Sequence, residues 1–184
     1  HWSREHALQN YILGGRSMSS VIKVDAIQNQ SGTAALSIAS NGRITKAHIP
    51  SFFAVKNANL AESNASVEIG DWTADFNIGN HFNASNGRFT CPVTGLYSFT
   101  FNAMHGNPSG DWQLHGKKNA STTIIKANQT ATGASWNQTT LSFVQQFNAN
   151  DTMSFFLYST ASSTYGIYGG NTSRFTTFCG HLIG

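Results

Sequence analysis

The side chains that most often perform catalysis are thinly spread along this sequence. Its 184 residues include 8 acidic residues and 7 histidines, and no HExxH or other paired metal-ligand spacing occurs. Glycoside hydrolysis needs two carboxylates across a cleft, and Asp71 with Asp75 is the pair to consider. We interpret these two carboxylates as a solvated edge. Glycine-rich phosphate loops and nucleophile elbows are also missing from the sequence, so we expect no enzymatic activity.

A tyrosine-containing stretch near the carboxyl end is a better candidate for binding. Residues 159–173 read STASSTYGIYGGNTS. Tyrosine with small polar neighbours provides stacking and adaptable hydrogen bonds, as recognition loops do. Ordinary loop packing is an equally weighted alternative. The predicted ligand-binding residues are Tyr165, Tyr168, Asn171, Trp112 and Trp136.

The two cysteines, Cys91 and Cys179, are too few for a disulfide framework. One bridge between them is an open alternative. Both lie in strand-like runs, where cysteine is commonly a buried thiol, and we favour that interpretation.

The amino-acid composition argues against several classes of protein. Charged residues make up 10% of the chain, and the net charge of +3 comes from scattered Lys and Arg. Nucleic-acid binding needs basic side chains clustered on one face, so we expect no nucleic-acid partner. Apolar runs do not approach the roughly 18 residues of a membrane helix, and the start, HWSREHALQN, lacks the apolar centre of a secretory signal. The uncharged polar surface suits exposure outside a cell or on a particle.

The elements that must position these residues are short strands. From residue 51 onward, strand signals recur about every ten residues between Gly and Asn, which predicts a sandwich or jelly roll. The predicted strands cover residues 52–55, 89–91, 96–104, 112–115, 122–126, 140–147, 152–159, 165–168 and 175–183.

Two strands carry more detail. Tyr97, Phe99 and Phe101 alternate with polar residues, as expected of a half-buried strand. Residues 153–158, MSFFLY, are apolar on both faces apart from one serine, and the second face needs a cover. We favour a neighbouring subunit over a wide aromatic core. The predicted trimer interface is Phe155, Phe156, Leu157, Tyr158 and Tyr97.

The first 50 residues differ in sequence pattern from the rest of the chain. Residues 1–17 are either a leader added by cloning or a short helical lead over residues 5–13, ended by Gly14 and Gly15. Residues 18–50 contain strand candidates at 21–27 and 34–38 and an Asn41-Gly42 turn before residues 43–45. So few large apolar groups cannot build a core alone, so we predict a β-rich trimeric stem.

Residues 77–101, NIGNHFNASNGRFTCPVTGLYSFTF, resemble the signature of the C1q globular head domain. Residues 177–183 echo its closing motif, and Asn150-Asp151 echoes its Gly-Asp hairpin. The resemblance covers about residues 51–184. Asp71, Thr94 and Cys179 depart from the family pattern. The matching residues are Asn77, Phe82, Gly87, Arg88, Phe89, Cys91, Pro92, Gly95, Tyr97, Phe99 and Phe101.

The resemblance implies an all-β, ten-stranded-type jelly roll of the complement and tumour-necrosis-factor kind that forms a homotrimer. It also implies weak calcium binding near the trimer apex, for which Asp111 and Asn119 are the oxygen donors available. The alternative for Asp111 is a simple loop-turn role, and it is the favoured one.

Residues 18–44 resemble the start of many marine bacteriophage structural proteins. Together, the two resemblances imply a trimeric head at the tip of a virion fibre or appendage. Such a head would recognise a host-surface glycan or receptor and contact other virion proteins through its stem. The alternatives are a secreted C1q-like recognition or signalling protein, and an architectural trimerisation module.

Overall fold

The computed structural model describes residues 22–46, 48–61, 65–106, 112–129, 136–159 and 166–184. The chain divides into two compact units, one up to Ala47 and one spanning His48–Gly184. The proposed lead over residues 1–17 lies outside the described residues. No helix among the described residues is long and apolar enough to cross a membrane.

The first unit is a three-stranded antiparallel sheet of β1 (Ala26–Gln28), β2 (Ala34–Ile38) and β3 (Ile44–Thr45). Its turns are built by asparagine side chains. Asn29 Oδ1 accepts hydrogen bonds from the backbone N–H of Ser31 and Thr33, at 3.1 and 2.9 Å. In the second turn Gly42 adopts a φ of 80°, which suits glycine. The described apolar side chains that remain exposed in this unit are Ile22, Val24, Ile27, Ile38 and Ile44.

The second unit contains the other strands. They are β4 (Ser51–Lys56), β5 (Ala65–Glu68), β6 (Trp72–Ile78), β7 (Phe82–Asn83), β8 (Arg88–Thr90), β9 (Gly95–His105), β10 (Trp112–Lys118), β11 (Thr122–Gln129), β12 (Asn137–Phe147), β13 (Thr152–Ser159) and β14 (Thr177–Leu182). Most predicted strands are present with slightly different ends. The sequence pattern did not indicate β5, β6 and β7, because β5 and β7 are short and polar residues interrupt the apolar pattern of β6. In β6 a bulge also adds Asp75 as an extra residue opposite the step from Phe53 to Ala54.

These strands form two antiparallel sheets. A five-stranded sheet has the order β12-β9-β14-β4-β6, and a six-stranded sheet has the order β11-β10-β13-β8-β7 with β5 also paired to β13. Neighbours such as β9 and β14 are far apart in sequence, so the sheets are closed by crossovers rather than by hairpins alone. This arrangement confirms the predicted all-β jelly-roll sandwich.

The core between the two sheets is largely aromatic. The predicted alternation in β9 is confirmed, because Tyr97, Phe99 and Phe101 are fully buried while the residues between them are partly exposed. Phe101 packs on Phe155 of the opposite sheet with ring centroids 4.3 Å apart. Phe178 meets the same ring edge-on at 5.1 Å. Aromatic pairs in such offset and edge-on geometries add to the burial of their area.

The signature residues have structural roles. Asn77 Nδ2 donates to the carbonyl oxygen of Phe82 at 2.8 Å, and Asn77 Oδ1 accepts from the N–H of the same residue at 3.0 Å. One side chain therefore closes the turn between β6 and β7. Gly87 adopts a φ of 70°, and a Cβ there would lie 2.3 Å from the carbonyl oxygen of Ile69. The Tyr97 hydroxyl donates to the Val93 carbonyl at 2.7 Å, which holds the turn after Cys91 and Pro92.

The prediction of a trimer interface at Phe155, Leu157 and Tyr97 is wrong. All three side chains face the core of their own chain and are at most 1% exposed. The reason is that β13 lies inside the six-stranded sheet and β9, which carries Tyr97, lies inside the five-stranded sheet, so alternate side chains of both strands point between the sheets. Phe156 and Tyr158 point the other way and are half-buried. Their interface role stays a prediction.

Candidate functional site

The segment 166–176, which contains the second half of the recognition-loop candidate and leads into β14, is fixed by hydrogen bonds on both sides. Ile167 forms a reciprocal pair with Leu60, at 2.8 and 3.0 Å. The N–H of Tyr168 donates to the Met104 carbonyl at 2.8 Å, and Thr176 Oγ1 donates to the Tyr168 carbonyl at 2.7 Å. Of the predicted strand at 165–168, the described residues 166–168 form only isolated bridges at Ile167, with Leu60 and with His105 at the end of β9.

An aromatic cluster lies on this segment. Trp136, directly before β12, stacks on Tyr168 with ring centroids 4.7 Å apart and planes inclined by 28°. Phe175 approaches the same indole at 5.8 Å. Trp136 nevertheless stays 60% exposed. A large ring that is held from one side and open to water on the other offers a stacking surface for a flat or ring-shaped ligand.

Charge is present at the edge of the cluster but is paired. Arg174 Nη2 donates to Asp75 Oδ2 at 2.5 Å, and its guanidinium lies over the ring of Phe53 at 5.1 Å. Arg174 has a φ of 54°, in the left-handed region, and its N–H donates to the Gly170 carbonyl at 2.7 Å. The cluster therefore presents rings and neutral polar groups more than free charge.

The predicted ligand-binding residues separate in the structure. Trp136 and Tyr168 come together, and Asn171 is exposed in the adjoining turn. The prediction that Trp112 binds ligand is wrong, because its side chain is fully buried and stacks on the His105 ring with centroids 4.2 Å apart. Tyr165 lies outside the described residues. The sequence pattern did not indicate that Phe175 belongs to this cluster, although it placed Phe175 in the last predicted strand.

The outward face of the five-stranded sheet is a second candidate surface. Pairing places Ser142, Thr100, Cys179, Phe53 and Phe76 in one row across the five strands. The next row contains Val144, Ser98, His181, Ser51 and Ile78.

These two rows contain no Asp, Glu, Lys or Arg. Phe76 is 48% exposed and Val144 is 56% exposed, at opposite edges of the sheet. A shallow depression between them is lined by residues that include Phe53, Cys179 and His181. An uncharged sheet face with exposed rings is suited to covering by another protein surface. The sequence pattern did not indicate this face because its residues come from five strands that are distant from one another in the chain.

Neither cysteine is positioned for chemistry. Cys91 and Cys179 are free thiols; Cys91 is buried, as the favoured interpretation expected, whereas Cys179 is only partly buried. Burial raises the pKa of Cys91 to about 12, with a further contribution from the nearby Asp151 carboxylate. Burial also raises the pKa of Cys179. A nucleophilic cysteine needs a lowered pKa, so the direction is opposite to that of a reactive site.

The two carboxylates considered for catalysis are held apart by different partners. Asp71 accepts from Asn57 Nδ2 at 3.0 Å and from the buried ammonium of Lys56 at 3.2 Å. The hydrogen bond from Asn57 is the largest cause that lowers its pKa, and Lys56 adds to it. Asp75 is paired with Arg174. Through its hydrogen bonds with Lys56 and Asn57, Asp71, directly before β6, ties the end of β4 to the start of β6.

Among the described residues, no cluster of metal ligands supports the prediction of calcium binding at Asp111 and Asn119. Asn119 lies in the hairpin after β10, where its Oδ1 accepts from the Thr152 N–H at 2.7 Å and its Nδ2 donates to Asp151 at 2.8 Å. Its amide is thus used within the fold. Asp111 lies outside the described residues. In the part of the chain that the structure describes, no three His, Cys, Asp or Glu side chains form a group that could hold a metal ion. Calcium binding stays a prediction, testable by a calcium-dependent change in melting temperature.

Comparison with known proteins gives one consistent result. Residues 51–183 match the family model described as the C1q domain. The solved globular domain of zebrafish complement 1qA protein is 19% identical, with a TM-score of 0.56 over 73% of this chain and 98% of that one. Murine APRIL at pH 5.0 is 10% identical, with a TM-score of 0.57 over 73% of this chain and 99% of that one. The structure at pH 8.5 is 12% identical, with a TM-score of 0.56. At these identities the likeness concerns the fold.

Proposed function

This chain belongs to the C1q domain family, and from that premise we propose that it is a trimeric binding head on a phage virion fibre or appendage. C1q and tumour-necrosis-factor-like domains are typically trimeric, non-enzymatic binding modules. The observation that carries the proposal is the uncharged outward face of the five-stranded sheet. It replaces β13 as the surface through which copies of the chain associate.

Self-association through this face is supported by its chemistry. The exposed rings and aliphatic groups on its rows are compatible with a desolvated interface. The rows themselves contain no Asp, Glu, Lys or Arg, and the guanidinium over Phe53, that of Arg174, is paired with Asp75, so the face carries no unpaired charge of these residues into an interface. A trimer of weak sites on one axis gains affinity by avidity, so each site needs only modest strength.

Sedimentation of the full chain tests this surface. We expect a trimer for the wild type and monomers for Phe76→Glu, because a carboxylate would be desolvated at the interface. Val93→Glu is the matched control, since Val93 is 47% exposed, similar to Phe76, but lies in the turn before β9. A trimeric Phe76→Glu variant, or a wild type that sediments as a monomer at micromolar concentration, would remove this basis for the proposal.

We place recognition of a host-surface glycan or receptor at the cluster of Trp136, Tyr168 and Asn171. Loss of the exposed indole removes the stacking surface, so Trp136→Ala should abolish retention on host cells while leaving the trimer intact. Val93→Ala is a control that removes an exposed apolar group in the turn before β9, away from both proposed surfaces. Unchanged retention of Trp136→Ala on host cells would contradict the assignment of this cluster.

The place in a virion is supported by the resemblance of residues 18–44 and by the exposed aliphatic side chains of the first unit. That small sheet exposes Ile22, Ile27 and Ile44, which suits packing against further copies in a stem. Imaging of virions with a labelled antibody against residues 51–184 should place label at a distal appendage. Label in the capsid shell, or none on virions, would contradict this placement.

Two alternative functions predict different experimental results. A secreted recognition or signalling protein predicts glycan mass on the native material and a gene beside non-phage neighbours. A purely architectural trimerisation module predicts a stable trimer that binds neither host cells nor a glycan array.

A further inference from the structure

The outward face of the six-stranded sheet, opposite the proposed trimer face, differs from it in character. Strand pairing places Lys126 of β11, His115 of β10, Phe156 of β13 and Glu68 of β5 side by side in one row. Adjacent strands are about 4.8 Å apart, so this row is a continuous strip across four strands. We call the surface formed by this row and its neighbours the basic strip.

Aromatic and amide groups flank the row. The Nζ of Lys117 lies 4.2 Å from the centroid of the Phe156 ring. The Tyr158 ring is nearly parallel to the His115 ring, with an interplanar angle of 14° and centroids 6.0 Å apart. The neighbouring row contains Gln113, which pairs with Asn128 on one side and with Tyr158 on the other. Phe156 and Tyr158 are therefore half-buried by basic and polar neighbours, without any second subunit.

The positive charge of the basic strip is not compensated. Among the described residues, neither Lys117 nor Lys126 forms an ion pair. The carboxylate at the end of the row, Glu68, is already engaged by Arg88 through two hydrogen bonds of 2.6 and 2.7 Å. Within the part of the chain that the structure describes, the strip therefore has two ammonium groups without an ion-pair partner and an acidic end that is already paired.

His115 is positioned to add a third charge. Its Nε2 donates to Gln113 Oε1 at 2.7 Å, which leaves Nδ1 as the atom that takes up a proton. Burial is the largest cause that lowers its pKa, and repulsion from Lys117 and Lys126 lowers it further. The two lysines thus produce a positive potential at the imidazole, and an anion placed between them would relieve it.

A shallow depression occurs at the same place. It is lined by His115, Lys126 and three residues of β11, Thr123, Ile124 and Ile125. Its walls therefore combine cationic, hydroxyl and aliphatic groups. We infer that the basic strip binds an acidic polysaccharide, with sugar carboxylates or sulfates at Lys117, Lys126 and His115 and sugar rings against Tyr158.

The chemistry favours an acidic glycan over other polyanions. Gln113, Asn128 and the Tyr158 hydroxyl suit the many hydroxyl groups of a sugar chain, and a half-exposed ring suits its apolar face. A nucleic acid presents a denser line of charge and needs more clustered Lys and Arg than two. A membrane surface needs several basic residues together with an apolar group that inserts.

Binding of polymers to the full chain at low ionic strength tests the inference. We expect polygalacturonate, which carries carboxylates, or dextran sulfate, which carries sulfates, to bind, and neutral dextran not to bind. The two acidic probes distinguish the kind of anion. Removing one charge-assisted hydrogen bond should raise Kd about tenfold, so Lys117→Glu and Lys126→Glu should each raise Kd at least that much. Lys46→Glu is the matched control, because the same change of net charge in the first unit should leave Kd within about twofold.

The pH dependence supplies a second readout. Lowering the pH from 7 to 5 should tighten binding of the wild type, since protonated His115 adds a cation, and this gain should be lost in His115→Gln. Melting temperatures must show that each variant is folded at the pH used. Equal weakening by Lys46→Glu, binding of neutral dextran with the same Kd, or tighter binding of single-stranded DNA than of either acidic glycan would overturn the inference. Because these variants lie away from the five-stranded sheet, failure here would leave the trimer test unaffected.

Discussion

Phe155 and Phe156 are neighbours on β13, and their truncation should have very different effects. Phe155 is 1% exposed and packs between Phe101 and Phe178 in the core. Phe156 is half-buried on the outward face of the six-stranded sheet, under the ammonium group of Lys117. The two residues have the same side chain on the same strand, so each is the matched control for the other.

The magnitudes follow from burial. Truncation of a core phenylalanine to alanine costs about 3–5 kcal/mol, because apolar area is lost and a cavity is left. For Phe155→Ala we expect about 4 kcal/mol, which is a large fraction of the roughly 5–15 kcal/mol typical of a domain. Phe156→Ala loses part of its burial and a cation–π contact of about 0.5–1 kcal/mol, so we expect about 1 kcal/mol in all.

Urea unfolding followed by tryptophan fluorescence measures both values. With a slope of about 2 kcal/mol per molar, Phe155→Ala should lower the midpoint by about 2 M and Phe156→Ala by about 0.5 M. Protein concentration must be held fixed, since an associating protein gains apparent stability with concentration. Equal losses for the two variants, or a Phe155→Ala variant that changes only the oligomeric state, would refute the assignment of Phe155 to the core.

Three further predictions concern other parts of the head. Asn77→Ala removes both hydrogen bonds to the Phe82 backbone and should cost about 1–3 kcal/mol in urea unfolding, whereas the exposed Asn148→Ala should cost less than 1 kcal/mol. Burial lowers the pKa of His105, so as the pH falls the unfolded chain takes up a proton before the folded chain does. The free energy of unfolding is therefore highest above about pH 6.5, and below it decreases by up to about 1.4 kcal/mol per pH unit. The decline in melting temperature from pH 7 to 5 should be smaller in His105→Gln, and an unchanged decline would show that another group is responsible. Thiol labelling at pH 8 should modify Cys179 slowly and leave Cys91 unmodified until the chain unfolds. The reason is that Cys91 is fully buried and has a pKa of about 12. Rapid labelling of Cys91 in the native protein would contradict this.

Local patterns predicted most of the fold. The spacing of aromatic residues in β9 predicted the buried face of that strand, and β2 and β13 have the ends that were expected from their composition. Such predictions succeed because side chains alternate between the two faces of a strand, so a local pattern specifies which residues share a face. The pattern does not specify which face meets the core when both faces are apolar. The wrong interface at Phe155 and Leu157 arose from this ambiguity.

Pairings between distant strands were beyond the sequence pattern. The row that joins Phe53, Cys179 and Phe76 uses three strands, and 126 positions in the chain separate Phe53 from Cys179. The stacking of Trp136 on Tyr168 and the gathering of Lys117, Lys126 and His115 also depend on contacts that form only after folding.

The sequence by itself determined the jelly-roll class, the buried aromatic face of β9 and the turn at Asn41-Gly42, because each depends on residues close together in the chain. Only the tertiary structure decided which sheet face is free of charge, which rings are exposed and where unpaired lysines meet. Those properties depend on the order and register of strands distant in sequence, which a single chain without its fold does not specify.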